Sequence, residues 1–120
     1  MRACDMILMW TAWNNGTHTP NGYGYGLKVP IADRDKYFRS SWKSVKFDLP
    51  EAGGFKTIEI NVEKASFWTK HCHELICKEL GLWLLANQLA PWEKRKPPRL
   101  PVTILGEGHF RLERVPAKRA

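Results

Sequence analysis

Ser66-Phe67-Trp68-Thr69-Lys70-His71-Cys72-His73-Glu74-Leu75-Ile76-Cys77-Lys78-Glu79-Leu80-Gly81-Leu82-Trp83-Leu84-Leu85-Ala86-Asn87-Gln88-Leu89 is the stretch on which the fold turns. Leu75, Ile76, Leu80, Leu82, Trp83, Ala86 and Leu89 recur at close to the 3.6-residue period of a helix that buries one stripe. Ser66 or Thr69 supplies a helix-opening hydroxyl. The spacing therefore predicts one long helix, ending at about Gln88, whose apolar stripe covers a sheet.

Upstream, Val45, Phe47 and Leu49 alternate with Lys46 and Asp48, and Ile58, Ile60 and Val62 alternate with Glu59, Asn61 and Glu63. Side chains of period two separated by a turn containing Gly53-Gly54 are the pattern of a hairpin, with Lys46 facing Glu59 and Glu63. Asp33, with Asp35 beside it, is placed to cap a short helix over residues 34 to about 41, anchored by Tyr37, Phe38 and Trp42. Residues 6–13, apolar at Ile7, Leu8, Met9 and Trp10, read as a central strand buried on both faces. Residues 22–29 alternate glycine with Tyr23, Tyr25, Leu27 and Val29, which predicts a strand with one bare face that another group approaches closely.

Downstream of the helix, a Pro-rich basic loop leads into a second hairpin, residues 100–105 and 109–115 around Gly106-Glu107-Gly108. The resulting order is β-β-α-β-β-α-β-β. This is an α+β domain over residues 1–115, with about six strands in a curved, mainly antiparallel sheet packed on one long helix, and a flexible basic tail over 116–120. Periodicity does not decide whether the sheet closes partly into a small barrel.

Length and composition bound the function. A chain of 120 residues with 43% hydrophobic residues supports a single packed core. Its longest apolar run, residues 80–85, is interrupted by Gly81 and falls far short of the ~20 residues that span a bilayer. The first residues lack the order of a secretory signal, so the expected location is cytoplasmic, with no membrane partner. Cys4, Cys72 and Cys77 are read as free thiols.

Charge is distributed unevenly. Residues 94–120 carry eight Lys and Arg against Glu107 and Glu113, a balance of +6, whereas residues 1–93 balance at +1. A field at one end of the molecule attracts anionic partners. Trp92, Lys94, Arg95, Lys96 and Arg99 combine a flat apolar ring with cations in a proline-bounded loop, the usual equipment for holding single-stranded nucleic acid. Arg111 and Arg114 add to the same end of the chain. The competing reading buries Trp92 under the helix end and leaves the charges as a solvated rim.

A second candidate is a ligand pocket built from Trp13, Asn14, Asn15, His18, Tyr23 and Tyr25, where amides, an imidazole and aromatics surround a glycine-opened loop. Against it, Asn and Gly often serve turn geometry alone. Gly22, Gly24 and Gly26 lack the strand-then-helix setting of a dinucleotide fingerprint. Third, His73 and Cys77 at i, i+4 on a helix could share one zinc ion, and Cys72 beside His71 near a helix start could be an activated thiol. Two ligands do not complete a site, and buried free cysteine is commonly core.

These readings order three functions. The leading expectation is a small non-enzymatic module that binds nucleic acid, RNA or DNA, through the basic C-terminal region, with no cofactor. The second is an adaptor or inhibitor docking on an acidic protein surface. The third is a metal- or thiol-dependent enzyme centred on residues 71–77.

Overall fold

The computed structural model describes residues 7–70 and 72–113, and it divides the 66–89 stretch into three pieces. Ala65–Trp68 forms a 3-10 turn, Glu74–Ile76 is a strand, and only Lys78–Ala86 is α-helical. The expected single long helix is therefore corrected, and the cause is tertiary. Leu75 lies opposite Leu27 in an antiparallel pair, and both are fully buried. The Val29 N–H extends that ladder by donating to the His73 carbonyl at 3.0 Å. Pairing with a strand edge and burying Leu75 outweigh a helix preference worth only tenths of a kcal/mol per residue.

In chain order the strands are β1 Ile7–Asn14, β2 Tyr25–Lys28, β3 Ser44–Glu51, β4 Gly54–Asn61, β5 Glu74–Ile76, β6 Arg99–Gly106 and β7 His109–Leu112, with helices α1 Ile31–Tyr37 and α2 Lys78–Ala86. They form one sheet in the order β4-β3-β7-β6-β1-β2-β5. Every pairing is antiparallel except β3 with β7, where Phe47 and Phe110 run side by side in parallel. The sheet curls into a half-barrel whose edge strands, β4 and β5, approach one another. The α+β class and the curved, mainly antiparallel sheet hold. Seven strands replace about six; a short first helix forms, as Ile31–Tyr37, and the long second helix shrinks to the nine residues of α2.

Both hairpins form where alternation placed them. Val45 faces Ile60 and Phe47 faces Ile58 across β3–β4, with Lys46 opposite Glu59, and Val102 faces Leu112 across β6–β7. Strand β1 is central, but only one of its faces is buried: Leu8, Trp10 and Ala12 point inward, while Ile7 and Met9 point out of the sheet. Trp10 occupies the middle of the core, with its ring 5.5 to 6.0 Å from those of Phe38, Phe47 and Phe110.

That tryptophan also explains why the expected cap is absent. Helix α1 starts at Ile31 after Pro30, without a side-chain cap, and Asp33 instead accepts the indole N–H of Trp10 at 2.9 Å. A fully buried indole needs an acceptor, and leaving one unpaired costs more than a cap returns. Helix α2 is fastened similarly, the buried Trp83 donating to the Pro50 carbonyl at 2.8 Å.

Strand β2 is shorter than its tyrosine–glycine alternation predicts. Gly22 and Gly24 have φ of 86° and 82°, so the chain turns there and Tyr23 swings outward instead of joining Tyr25. Among the described residues, no helix is long and apolar enough to cross a membrane. Cys4, His71, Arg114 and the 116–120 tail lie outside the described residues.

Candidate functional site

Two loops drawn from opposite ends of the sequence meet at the end of β1. The first follows Asn14. Its amide accepts from Gly16 N–H at 2.8 Å and donates to the carbonyls of Thr17 and Gly24 at 3.0 and 3.2 Å, while the Asn15 side chain accepts from Thr17 N–H at 3.0 Å. The two asparagines thus spend their amides on loop geometry. The product of that geometry is His18, whose Nδ1 lies 2.6 Å from the Tyr25 hydroxyl.

The second loop joins α2 to β6. The Ala12 N–H of β1 donates to Pro98 O at 2.9 Å, which moors the loop along the strand end. A turn closed by Lys96 N–H donating to Glu93 O at 2.9 Å sets Arg95 at a φ of 66°. Trp92 then packs edge-on against His18, ring centres 4.8 Å apart at 90°, and 5.7 Å from Tyr25. Trp92 is thus neither sunk beneath the helix nor free of the protein. It is half-buried, resting on the core and bordering open space.

That space is a groove of about 550 Å³, bounded by Trp13, His18, Lys28, Trp92, Lys94 and Arg95. Asn14 borders it as well, with Thr11 as part of its floor, and no carboxylate lines it. Thr11 is flanked in register by Lys28 on β2 and Arg99 on β6, so a basic row crosses the sheet beside the groove. The structure therefore brings residues of two separately expected sites to one groove: Trp13 and Asn14 from the end of β1 and His18 from the first loop with Trp92, Lys94 and Arg95 from the second.

Other expected residues fall elsewhere. Lys96 points away and pairs with Glu93 at 3.3 Å. Asn15 supports the loop from within, and Tyr23 lies under the Lys78 ammonium, 5.0 Å from its ring centre. Arg111 sits on β7, two strands from β1, bonded to Glu113 at 3.0 Å and stacked over Phe55 at 5.1 Å. Thr11 and Lys28 were missed by sequence reasoning. Lys28 was open to detection, since alternation along Leu27-Lys28-Val29 puts it on the face opposite the buried leucine.

The His/Cys segment loses its helical premise. Because residues 74–76 are a strand, His73 and Cys77 are separated by about 13 Å of extended chain instead of one helical turn of about 6 Å. His73 Nδ1 bonds to the Val29 carbonyl. Cys72 is exposed and precedes a strand, so no helix terminus acts on it, and Cys77 is the residue that leads into α2. Burial pushes the Cys77 thiol above its ordinary range, and its bond to the Glu79 carboxylate adds to the shift, the opposite of activation. Among the described residues, no three His, Cys, Asp or Glu side chains converge on a metal-sized site.

The outer face around Arg111 carries its own network. Desolvation opposes ionisation of Asp48, but hydrogen bonds from His109 and Thr57 and the charges of His109 and Arg111 outweigh it, leaving the carboxyl below its usual value. Glu113 is likewise depressed: Thr103 and Arg111 overcome its desolvation. Unfolded Asp and Glu titrate near about 3.9 and 4.3. A folded value below these gives stability that is present above roughly pH 5 and is lost as pH falls through the depressed values. An Asp48→Asn, Glu113→Gln double variant is expected to lose stability less steeply between about pH 5 and 2 in urea titrations, by less than about 1 kcal/mol because both groups retain solvent contact. An acid limb as steep as that of the unaltered protein contradicts this assignment.

No family model, curated protein or solved structure matches the chain. What the groove can do is therefore argued from its chemistry: two indoles, an imidazole and several cations around a space the size of a nucleotide unit.

Proposed function

We propose that the protein is a non-enzymatic module that binds single-stranded nucleic acid, with one nucleotide seated in the groove and the flanking phosphates on Lys28, Lys94, Arg95 and Arg99. The observation that carries this reading is the junction of Trp92 with Trp13 in one carboxylate-free groove bordered by Lys28, Lys94 and Arg95. Aromatic faces accept any base, and cations accept phosphate; Lys28 also lies 3.8 Å from the Glu74 carboxylate, which stands outside the groove lining. An acidic protein surface would use the same charges, with the indoles as apolar anchors, and failure of labelled strands to bind is the outcome that favours it.

The test is fluorescence anisotropy of short labelled RNA and DNA strands across about 50 to 300 mM salt. With about four phosphates neutralised, log K is expected to fall against log salt with a slope of about −3 to −4. Replacing Lys94, Arg95 and Arg99 together with alanine is expected to weaken binding at least about tenfold, and Trp92→Leu, which keeps apolar bulk while removing the stacking face, to weaken it further. Affinity that ignores salt, or that survives the triple replacement, overturns the proposal.

A further inference from the structure

The Tyr25–His18 pair gives the groove a directional chemistry that charge alone does not. Tyr25 is fully buried, and its hydroxyl meets one hydrogen-bond partner among the described residues, His18 Nδ1 at 2.6 Å. Burial also raises the Tyr25 pKa, so the hydroxyl keeps its proton. A buried O–H with one partner donates to it, because an unmade donor costs more than the bond is worth in water. Nδ1 is then the acceptor, and the imidazole proton resides on Nε2. That nitrogen has no protein partner among the described residues, and His18 borders the groove. The edge-on contact with Trp92 fixes the ring plane.

The other polar side chains around the groove are of the same kind. Lys28, Lys94 and Arg95 donate only, and so do the indoles of Trp13 and Trp92. Asn14, which could have accepted, has its amide oxygen engaged by Gly16 N–H. Thr11 and the second lone pair of that Asn14 oxygen are the acceptors that the lining side chains keep, so donors outnumber acceptors around the groove.

We infer that the groove selects bases rich in carbonyl oxygens, with His18 as a specificity-determining donor whose tautomer is set by Tyr25. This rests on the nucleic-acid reading above and names the chemical class within it: uracil or thymine over cytosine. The comparison is sharp because uracil and cytosine share ring size and stacking. Uracil presents O2 and O4 as acceptors with a single N3–H donor, whereas cytosine presents O2 and N3 as acceptors with the two N–H donors of its amino group, so a lining rich in donors leaves more of cytosine's donors unpaired.

The experiment measures binding of short labelled oligo-U and oligo-C at one salt concentration to the unaltered protein, Tyr25→Phe and His18→Ala, with circular dichroism confirming the fold of each variant. Oligo-U is expected to bind about fivefold tighter or more. His18→Ala is expected to bring the two strands within about twofold, chiefly by weakening oligo-U. Tyr25→Phe, which keeps the ring and frees the tautomer, is expected to reduce the preference in the same direction. Equal binding of the two strands by the unaltered protein, or a preference that survives His18→Ala, overturns the inference while the nucleic-acid reading stands. Failure of both strands to bind overturns the reading beneath it. Should Tyr25→Phe fail to fold, the His18→Ala ratio decides the matter alone.

Discussion

Gly26→Ala is expected to lower the unfolding free energy by about 3 kcal/mol or more, the cost of overpacking a rigid contact. A Cβ at this position would lie 2.3 Å from the Leu75 carbonyl oxygen and 3.0 Å from its carbon. The obstacle is backbone, so no side chain can swing aside. Relief requires β5 to move off β2, breaking a register that pairs Gly26 with Ile76 and Leu27 with Leu75. The displacement would reach the groove, because Tyr25 and Lys28 lie on the same short strand. Gly106→Ala is the control: nothing lies within 4 Å of its added Cβ, and its backbone is not left-handed, so a change below about 1 kcal/mol is expected. Urea denaturation of both variants decides it, and a Gly26→Ala loss no larger than the control's contradicts the close approach.

Arg34→Met is expected to cost about 3 kcal/mol. Arg34 retains 5% of its exposure, yet its guanidinium donates to the Phe67 and Thr69 carbonyls at 3.0 and 2.6 Å, bonds Asp35 at 3.1 Å and lies 5.3 Å from the centre of the Trp68 ring. It thereby ties α1 to the 3-10 turn that closes the core behind Phe67. Methionine fills comparable volume but removes the partner of the buried Phe67 carbonyl, a loss of about 1 to 3 kcal/mol, together with the bond to the more exposed Thr69 carbonyl. Arg34→Lys is expected to recover under half of the loss, since one ammonium cannot serve the same fork of acceptors. A denaturation midpoint for Arg34→Met matching that of the unaltered protein excludes this role.

The hairpin β3–β4 was readable in its alternating faces because its cause is local. Alternation of period two says which side chains share a face, and Gly53-Gly54 permits the reversal. The same logic located β6–β7. Arg34 was unreadable as a buried residue, because an arginine between two aspartates looks like surface, and only Phe67 and Thr69 brought across from residues 65–69 make burial affordable. The basic loop was readable as a candidate, since its prolines, its tryptophan and its cations are adjacent in sequence. The loop carrying His18 was readable as a separate candidate, but its junction with the basic loop was not, because His18 and Tyr25 meet Trp92 only when Pro98 is moored to Ala12. The +6 balance also misled in part. Arg111 contributes to it on paper, but in the fold it is held on another strand by Glu113.

Patterns with local causes were therefore decided by residue order alone: the class of the domain, the two hairpins, the central β1 and the concentration of charge near one terminus. The state of residues 66–89 was decided elsewhere. Leu75 and Ile76 suit a helix stripe and a strand equally well, and their spacing cannot choose between them. The choice fell to the bare backbone of Gly26, which lets β5 approach closely enough to pair. Gly81, whose Cβ would meet the Gly22 carbonyl oxygen at 2.2 Å, shows the same dependence where α2 meets the β2 turn. Contacts between distant segments are set by how closely two backbones can approach, and single-chain periodicity carries no record of that distance.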